Sequence, residues 1–259
     1  MEEVIKENGF DYQETNGDSE VLLLLHGLFG ATGNFASIQE KFKDMYNVVT
    51  PLLPIMTMPI KSVGLTGLVQ HVHDFVSFKG YKKMHLVGNS LGGHLAQLFA
   101  LKYPEKVSSI TLTGSSGLFE NSMGSTFPKR SNYDFVKEKA QSTFYDPAVA
   151  TKEVVDEVFD IVNDRNKAIR VVITAKSAIR NNLEFKIKDI LVPVLLVWGK
   201  QDTVTPQWVG EKFHDLFPNS TLCLVDKCGH APMMERPIVF NNALEKFLSG
   251  LAYKKASHF

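Results

Sequence analysis

Short apolar runs recur along the chain, and longer stretches with a wider spacing of apolar residues separate them. An unbroken apolar run is typical of a parallel strand buried on both faces, whereas apolar residues three or four positions apart are typical of an amphipathic helix. The runs that predict strands are residues 21–26, 46–50, 84–88, 107–113, 194–198 and 221–225. The stretches that predict helices are residues 34–42, 65–78, 91–103, 133–143, 151–163, 165–181, 206–217 and 237–249. Because strands alternate with helices, we expect an α/β fold with a mostly parallel sheet and helices on both faces.

The alternation stops after the strand predicted at residues 107–113. Polar sequence rich in Ser, Asn and Gly follows, and it leads into three of the predicted helices with no further strand before residue 190. An all-helical segment inside an α/β alternation indicates a lid or cap. We therefore expect residues 1–113 and 190–259 to form the core, and residues 114–189 to form a helical cap that is inserted in it and is not an independent domain.

The composition is that of an ordinary globular protein, with 44% hydrophobic and 22% charged residues in a chain of 259. Lys plus Arg and Asp plus Glu each number 28, so the net charge is zero and no nucleic-acid partner is expected. The longest apolar run, residues 21–25, is too short to span a bilayer, and the acidic N-terminus lacks the features of a signal peptide. We expect a cytoplasmic protein without a membrane span.

The two cysteines, Cys223 and Cys228, lie close together in the sequence. In a cytoplasmic protein this pair is expected to stay reduced. No second Cys or His pair completes a zinc set at the usual spacing, so we expect no metal.

The sharpest chemical signal is Gly88-Asn89-Ser90-Leu91-Gly92, which fits the pattern G-x-S-x-G. A predicted strand runs into it and a predicted helix runs out of it. The chain must therefore reverse sharply at Ser90 and expose the hydroxyl, which predicts a nucleophile. The alternative is a glycine-rich turn that only packs strand against helix.

A serine hydroxyl needs a base to take its proton and a further group to orient that base. His230 follows one predicted strand and Asp202 follows another, which places both at the carboxyl edge of the sheet, where ligands bind in open α/β folds. We expect His230 to be the base and Asp202 to be the acid. His94, one helical turn after Ser90, is the rival base, and Asp226 is the rival acid.

An acyl-transfer site also needs N–H groups that stabilise the developing oxyanion. Leu91 opens the helix after the nucleophile, and Leu28 lies in the glycine-rich loop after the first predicted strand, so we expect their backbone N–H groups to form the oxyanion hole. Phe29, Met123 and Met233 are expected to line an apolar substrate pocket.

Four segments resemble the α/β-hydrolase superfamily, and together they extend along nearly the whole chain. They are LHGLFG at 25–30, VGNSLGGHLAQLFALKYPEKV at 87–107, LLVWGKQDTVTP at 195–206 and CGHAPMMERP at 228–237. In that superfamily these positions hold the nucleophile, the acid and the base in the chain order Ser90, Asp202, His230. The resemblance implies an eight-stranded sheet with a cap inserted after the sixth strand, which agrees with the helical segment at residues 114–189.

Within the superfamily, GNSLGG at 88–93 and TGSSGL at 113–118 resemble hydrolases that cleave carbon–carbon bonds in ring-cleavage products. Carboxylesterases, lactonases and haloperoxidase-like members share much of the pattern. Ala231 departs from the carbon–carbon group, which usually has Trp directly after the histidine. That group also uses a cap arginine, and no motif selects one from Arg165, Arg170 and Arg180.

We therefore expect a serine hydrolase that cleaves a small ester or related carbonyl compound through an acyl-enzyme on Ser90, without a cofactor. The apolar segment at residues 51–59 and the methionines favour a small-molecule substrate with an apolar part. The alternatives are a carbon–carbon bond hydrolase, or a ligand-binding or lyase member of the same fold.

Overall fold

The computed structural model describes residues 3–15, 17, 19–119 and 129–256. The strands in this part of the chain are β1 (Ile5–Glu7), β2 (Phe10–Glu14), β3 (Val21–Leu25), β4 (Asn47–Pro51), β5 (Met84–Asn89), β6 (Val107–Thr113), β7 (Val194–Gly199) and β8 (Ser220–Val225). They form one sheet in the order β1-β2-β4-β3-β5-β6-β7-β8. Pairing is antiparallel from β1 through β2 to β4 and parallel across the rest. The predicted eight-stranded, mostly parallel sheet is confirmed.

Helices cover both faces of this sheet, as predicted. The α-helices in the described residues are α1 (Ala36–Phe42), α2 (Leu65–Phe78), α3 (Leu91–Lys102), α4 (Tyr133–Gln141), α5 (Lys152–Asn163), α6 (Arg165–Arg180), α7 (Gln207–Leu216), α8 (Pro232–Glu235) and α9 (Pro237–Ala256). Alternate residues of a strand point to opposite faces. Leu23 and Leu25 therefore join a core with residues of α2, α3 and α7, while Leu22 and Leu24 join a second core with residues of α1 and α9.

The hairpin of β1 and β2 is missing from the strands predicted by apolar runs. Its strands have the sequences IKE and FDYQE, and β1 is largely exposed. Asn8 and Gly9 connect the strands with φ values of 51° and 80°. Positive φ at both residues of a two-residue loop is typical of a type I′ hairpin, for which Asn-Gly is a favoured sequence. That dipeptide, and not hydrophobicity, is the sequence signal for this hairpin.

Between β6 and β7 the chain contains α4, α5 and α6, and we refer to residues 114–189 as the insert. Val136 of α4 packs with Val158 and Val162 of α5, and Phe29 from the loop after β3 packs against this cluster. The insert therefore contacts the carboxyl edge of the sheet, where β3 ends. None of the described helices is long and apolar enough to cross a membrane.

Candidate active site

Ser90 lies at the turn between β5 and α3, with φ 54° and ψ −120°. Positive φ is unfavourable for a residue with a Cβ atom, and such a conformation costs of order 1–3 kcal/mol. Neighbouring backbone holds it in place: the Ser90 N–H donates to the carbonyl of Thr113 at 3.1 Å, and the Ser90 carbonyl accepts from the N–H of Ser116 at 3.2 Å. Ser90 is thus presented on a strained strand-to-helix turn at the carboxyl edge of the sheet.

Glycine is required beside this turn because α3 passes very close to the sheet. A Cβ atom on Gly92 would lie 1.9 Å from the carbonyl oxygen of Leu25, the last residue of β3. A Cβ atom on Gly88 would lie 2.5 Å from the carbonyl oxygen of Gly92. Any side chain at these positions would push α3 away from the sheet and displace Ser90.

Asp202 follows β7 and His230 follows β8, and their side chains meet at the carboxyl edge. Nδ1 of His230 lies 2.9 Å from Oδ2 of Asp202. The buried carboxylate also accepts the N–H groups of Val204 and Thr205 on Oδ1, at 2.8 and 2.9 Å, and the Thr205 hydroxyl on Oδ2, at 2.8 Å. Because a carboxylate accepts a proton-bearing nitrogen, this pairing assigns the proton to Nδ1 and the lone pair to Nε2 of His230.

The two rival residues are engaged elsewhere. His94 is fully buried in α3, where its Nε2 donates to the carbonyl of Asn181 at 2.9 Å, and burial lowers its pKa to about 4. Asp226 lies at the surface, with Oδ1 4.0 Å from Nζ of Lys200 and 3.4 Å from Nε2 of Gln201. The structure therefore pairs His230 with Asp202, as the sequence predicts.

Hydrogen bonds hold the loop of His230 against both the turn at Ser90 and the insert. Asn89, directly before Ser90, donates from Nδ2 to the carbonyl of Thr113 at 3.0 Å and to the carbonyl of His230 at 3.1 Å. The N–H of His230 donates to the carbonyl of Thr143, two residues after α4, at 2.9 Å. The positions of Ser90, His230 and the insert are thus linked through hydrogen bonds.

A buried carboxylate strengthens the contact between the insert and the histidine loop. Glu235 accepts the N–H of Gly229 on Oε1 and the N–H of Tyr145 on Oε2, each at 2.8 Å. Burial raises the pKa of Glu235, while these backbone donors act in the opposite direction. A Cβ atom on Gly229 would lie only 2.6 Å from the carbonyl oxygen of Thr143. The insert therefore packs directly against Gly229, the residue before His230.

Both cysteines are free thiols. Cys228 is buried beside Glu235, with its Sγ 4.0 Å from Oε1, and burial raises the pKa of its thiol. Among the residues that the structure describes, no group of three or more His, Cys, Asp or Glu side chains is arranged to hold a metal ion.

Ser90 and His230 line a cavity of about 160 Å³ between the sheet edge and the insert. An apolar cavity of roughly this size accommodates benzene. Leu28 and Leu91 both contribute to its wall, as does Phe29. Leu91 is the first residue of α3, and the first N–H groups of a helix have no acceptor within the helix.

The prediction that Met233 lines the pocket is wrong. Met233 is 1% exposed and packs in the core beside α9, whereas its neighbour Met234 lines the cavity. Both residues belong to α8, in which successive side chains point about 100° apart, so adjacent methionines face different surroundings. Met123, the other predicted pocket methionine, lies outside the described residues.

The three arginines considered for substrate binding also lie elsewhere. None of Arg165, Arg170 and Arg180 belongs to the described wall of the cavity. Arg170 instead donates from Nε to the carbonyl of Met58 at 2.9 Å and from Nη1 to the carbonyl of Asn166 at 3.0 Å.

The residues that position Ser90, Asp202 and His230 were not predicted from the sequence. Thr205 has a local signal, since an Asp side chain that accepts N–H groups two and three residues later forms a recognisable turn. The contacts of Asn89 with His230, 141 positions away, and of Glu235 with Tyr145, 90 positions away, have no local signal.

Comparisons with known proteins find similarity along nearly the whole chain. A family model described as the alpha/beta hydrolase family matches residues 22–243. The chain is 27% identical over 259 residues to Lipase 3 of Moraxella sp. (strain TA144), covering 92% of this chain and 80% of that protein. It is 29% identical over 262 residues to 2-hydroxy-6-oxononadienedioate/2-hydroxy-6-oxononatrienedioate hydrolase of Burkholderia vietnamiensis (strain G4 / LMG 22486), covering 92% and 90%.

Among solved structures, the chain is similar to an alpha/beta hydrolase enzyme from the metagenome of lagoon sediments of Mar Chica, Morocco. The two share 36% sequence identity with a TM-score of 0.80, over 96% of this chain and 99% of that one.

Proposed function

The chain belongs to the alpha/beta hydrolase family, and from this premise we propose that it is a serine hydrolase acting on small esters. The roles are Ser90 as nucleophile, His230 as base and Asp202 as the group that orients the base. The observation that carries the proposal is the 2.9 Å contact between His230 and Asp202, which lies beside a strained serine in the wall of the same cavity.

The proposed reaction proceeds in two halves. Nε2 of His230 takes the hydroxyl proton as Oγ of Ser90 attacks the ester carbonyl, and the N–H groups of Leu28 and Leu91 stabilise the oxyanion. His230 then gives the proton to the departing alcohol, which leaves an acyl group on Ser90. A water molecule, deprotonated by His230, attacks the acyl-enzyme; His230 then returns this proton to Oγ of Ser90 as the carboxylic acid leaves.

The cavity supports a substrate with a small apolar acyl group. Aliphatic side chains such as Val154, Val158, Val204 and Ile179 contribute to its wall, and its volume suits a group of about six carbon atoms. We also propose that residues 114–189 act as a cap over a core of residues 1–113 and 190–259, since α5 and α6 both supply lining residues.

A panel of p-nitrophenyl esters with acyl groups of two to eight carbons tests this proposal. We expect turnover that Ser90→Ala reduces by at least about 10³-fold, because the nucleophile is lost while the fold is kept. Ser77→Ala, at an exposed serine of α2, serves as the control and keeps wild-type rates. Turnover that survives in Ser90→Ala would refute the assignment, as would an absence of Ser90-dependent hydrolysis with every ester.

Carbon–carbon bond hydrolysis is the second candidate, supported by the relative from Burkholderia at an identity similar to that of the lipase. Two features disfavour it: Ala231 follows the histidine, and no arginine or lysine lines the described cavity wall. Ser90-dependent consumption of a 2-hydroxy-6-oxo-dienoate at a rate above that of any ester would favour this second function.

A further inference from the structure

The described wall of the cavity contains one carboxylate and no Lys or Arg side chain. Apart from His230, Glu157 is the only side chain with an acidic or basic group among the lining residues in the described part of the chain, and none of them is Lys or Arg. Residues 120–128, outside the described part, also contain no Lys or Arg. A substrate that enters the cavity therefore meets one acid and no Lys or Arg in the described wall.

Glu157 lies on α5 between the apolar lining residues Val154 and Val158. The residue is exposed at its outer side, which places it at the rim of the cavity, yet partial burial raises the pKa of its carboxyl. Lys167, at the start of α6, is the charge that acts in the opposite direction. Partial burial and the charge of Lys167 thus act in opposite directions on the pKa of this carboxyl, and burial has the larger effect.

We propose that Glu157 is a specificity-determining residue, which disfavours substrates that carry a carboxylate and favours neutral or cationic esters. This inference rests on the proposed ester hydrolysis at Ser90 and names the class of substrate for that site. A second carboxylate brought to the rim would be repelled by Glu157 and would find no arginine or lysine in the described wall to bind it. A cationic end group would be attracted there.

The proposed preference for neutral or cationic esters can be compared with the substrates for which two relatives are named. The Burkholderia hydrolase is named for a dioate substrate, and another relative, from Metapseudomonas resinovorans, is named for a hexadienoic acid. Both are carboxylates, so the charge at the rim separates the proposed substrate class from those of these two proteins.

The test uses three p-nitrophenyl esters with matched six-carbon acyl chains: the hexanoate, the hydrogen adipate and the 6-(trimethylammonio)hexanoate. They differ in the charge at the far end of the acyl group, which is neutral, negative or positive. Assays at pH 8 and low salt keep carboxylates ionised and electrostatic effects strong. For each variant, kcat/KM is expressed relative to the hexanoate, which removes differences in the chemical step.

For Glu157→Gln we expect the adipate ratio to rise about three- to tenfold and the trimethylammonio ratio to fall by a similar factor, as for charges several ångströms apart in a partly solvated site. Glu157→Lys should extend both changes. In 1 M salt, where the screening length is about 3 Å, the effects should shrink. Glu153→Gln removes the same charge one helical turn away, outside the cavity wall, and should leave both ratios within about twofold of the wild type.

The proposal is overturned if both ratios stay unchanged in Glu157→Gln and Glu157→Lys, or if Glu153→Gln changes them equally. These outcomes count against the proposal when each variant still hydrolyses the hexanoate normally. They leave the role of Ser90 intact. An absence of Ser90-dependent hexanoate hydrolysis would instead overturn the proposed function itself.

Discussion

Asp202 is held mainly by its own loop, since three of its four hydrogen-bond donors come from Val204 and Thr205. Thr205 differs from Val204 because its side chain also donates to the carboxylate. Its hydroxyl donates to the same oxygen that contacts His230 and lies 3.4 Å from Nδ1 of the imidazole. We infer that Thr205 fixes the rotation of the carboxylate and, through it, the direction in which Nε2 points.

Removing this hydroxyl should slow the reaction without weakening substrate binding. For Thr205→Val we expect kcat to fall about tenfold, the effect of one hydrogen bond to a charged group, with KM changed less than about twofold. Thr205→Ser keeps the hydroxyl and should restore most of the rate. Steady-state kinetics with a p-nitrophenyl ester measure both constants. An unaltered kcat in Thr205→Val would show that the two backbone N–H groups suffice.

The sequence predicts Ser90, Asp202 and His230 because Ser90 directly follows a strand and the other two lie in the loops after later strands. Parallel strands bring their carboxyl ends to one edge. The sequence does not predict Asn89 and Glu235 as positioning residues, because each bonds to a residue that is distant in the chain, His230 for Asn89 and Tyr145 for Glu235, and that becomes a neighbour only when the fold forms. Local spacing contains no information about such contacts.

At the scale of elements, the close approach of α3 to β3 is what positions Ser90 at the strand-to-helix turn. Gly92→Ala would place a methyl group 1.9 Å from a backbone carbonyl that cannot move without disturbing the sheet. We expect a loss of more than about 3 kcal/mol of unfolding free energy, or no folded protein. Denaturant unfolding with far-UV circular dichroism measures this change.

Gly250→Ala provides the matched control, since a Cβ atom there meets nothing within 4 Å and the residue lies in α9. Alanine in a helix is favoured over glycine by about 1 kcal/mol, so this variant should be as stable as the wild type or more so. Equal destabilisation by both substitutions would contradict the steric explanation.

Glu235 connects two elements, since it bonds both the chain after α4 and the loop after β8. In Glu235→Gln, one of the two backbone N–H groups would face an amide NH2 instead of an oxygen. We expect the loop of His230 to loosen, with kcat lowered about tenfold and KM changed little. Steady-state kinetics with the hexanoate ester measure kcat and KM separately.

Glu211→Gln, at an exposed glutamate of α7, should keep both constants. A uniform loss of activity that follows the amount of folded protein, with kcat per folded molecule unchanged, would show that Glu235 only stabilises the fold.

The elements with strong hydrophobic patterns were predictable to within one or two residues, except that α9 continues to Ala256, seven residues beyond the predicted end at residue 249. The helix predicted at 65–78 is α2 (Leu65–Phe78), and the strand predicted at 107–113 is β6 (Val107–Thr113). The β1–β2 hairpin and α8 were not predicted, because the hairpin is polar on its exposed side and α8 has only four residues. Periodicity needs a longer segment or a consistently buried face before it becomes visible.

At the scale of the whole molecule, buried histidines couple stability to pH. Burial lowers the pKa of His26 and of His94, the latter to about 4 from an ordinary 6.5. Between about pH 4 and pH 6.5, the unfolded chain binds a proton at His94 that the folded protein does not bind. The stabilisation is therefore complete above about pH 6.5 and is lost as the pH falls towards 4. Glu235, whose pKa burial raises, acts in the opposite sense.

His94→Gln should reduce this pH dependence, because the glutamine amide can still donate to the carbonyl of Asn181 but does not titrate. The wild type should lose up to about 3 kcal/mol more than the variant between pH 7 and pH 4. Urea unfolding at several pH values gives the two slopes.

Val76→Ala, in the core of α2, lowers stability without removing a titrating group, and it should keep the wild-type slope. Parallel pH profiles for the wild type and His94→Gln would refute the contribution of His94.

The positive φ of Ser90 has a consequence for how the protein responds to selection. Glycine adopts φ 54° without the penalty that a Cβ atom brings, so Ser90→Gly relieves strain at the residue that we assign as the nucleophile. Under this assignment, the most active sequence at position 90 is not the most stable one. A directed-evolution experiment that screens for heat resistance alone would therefore enrich catalytically dead clones at this position.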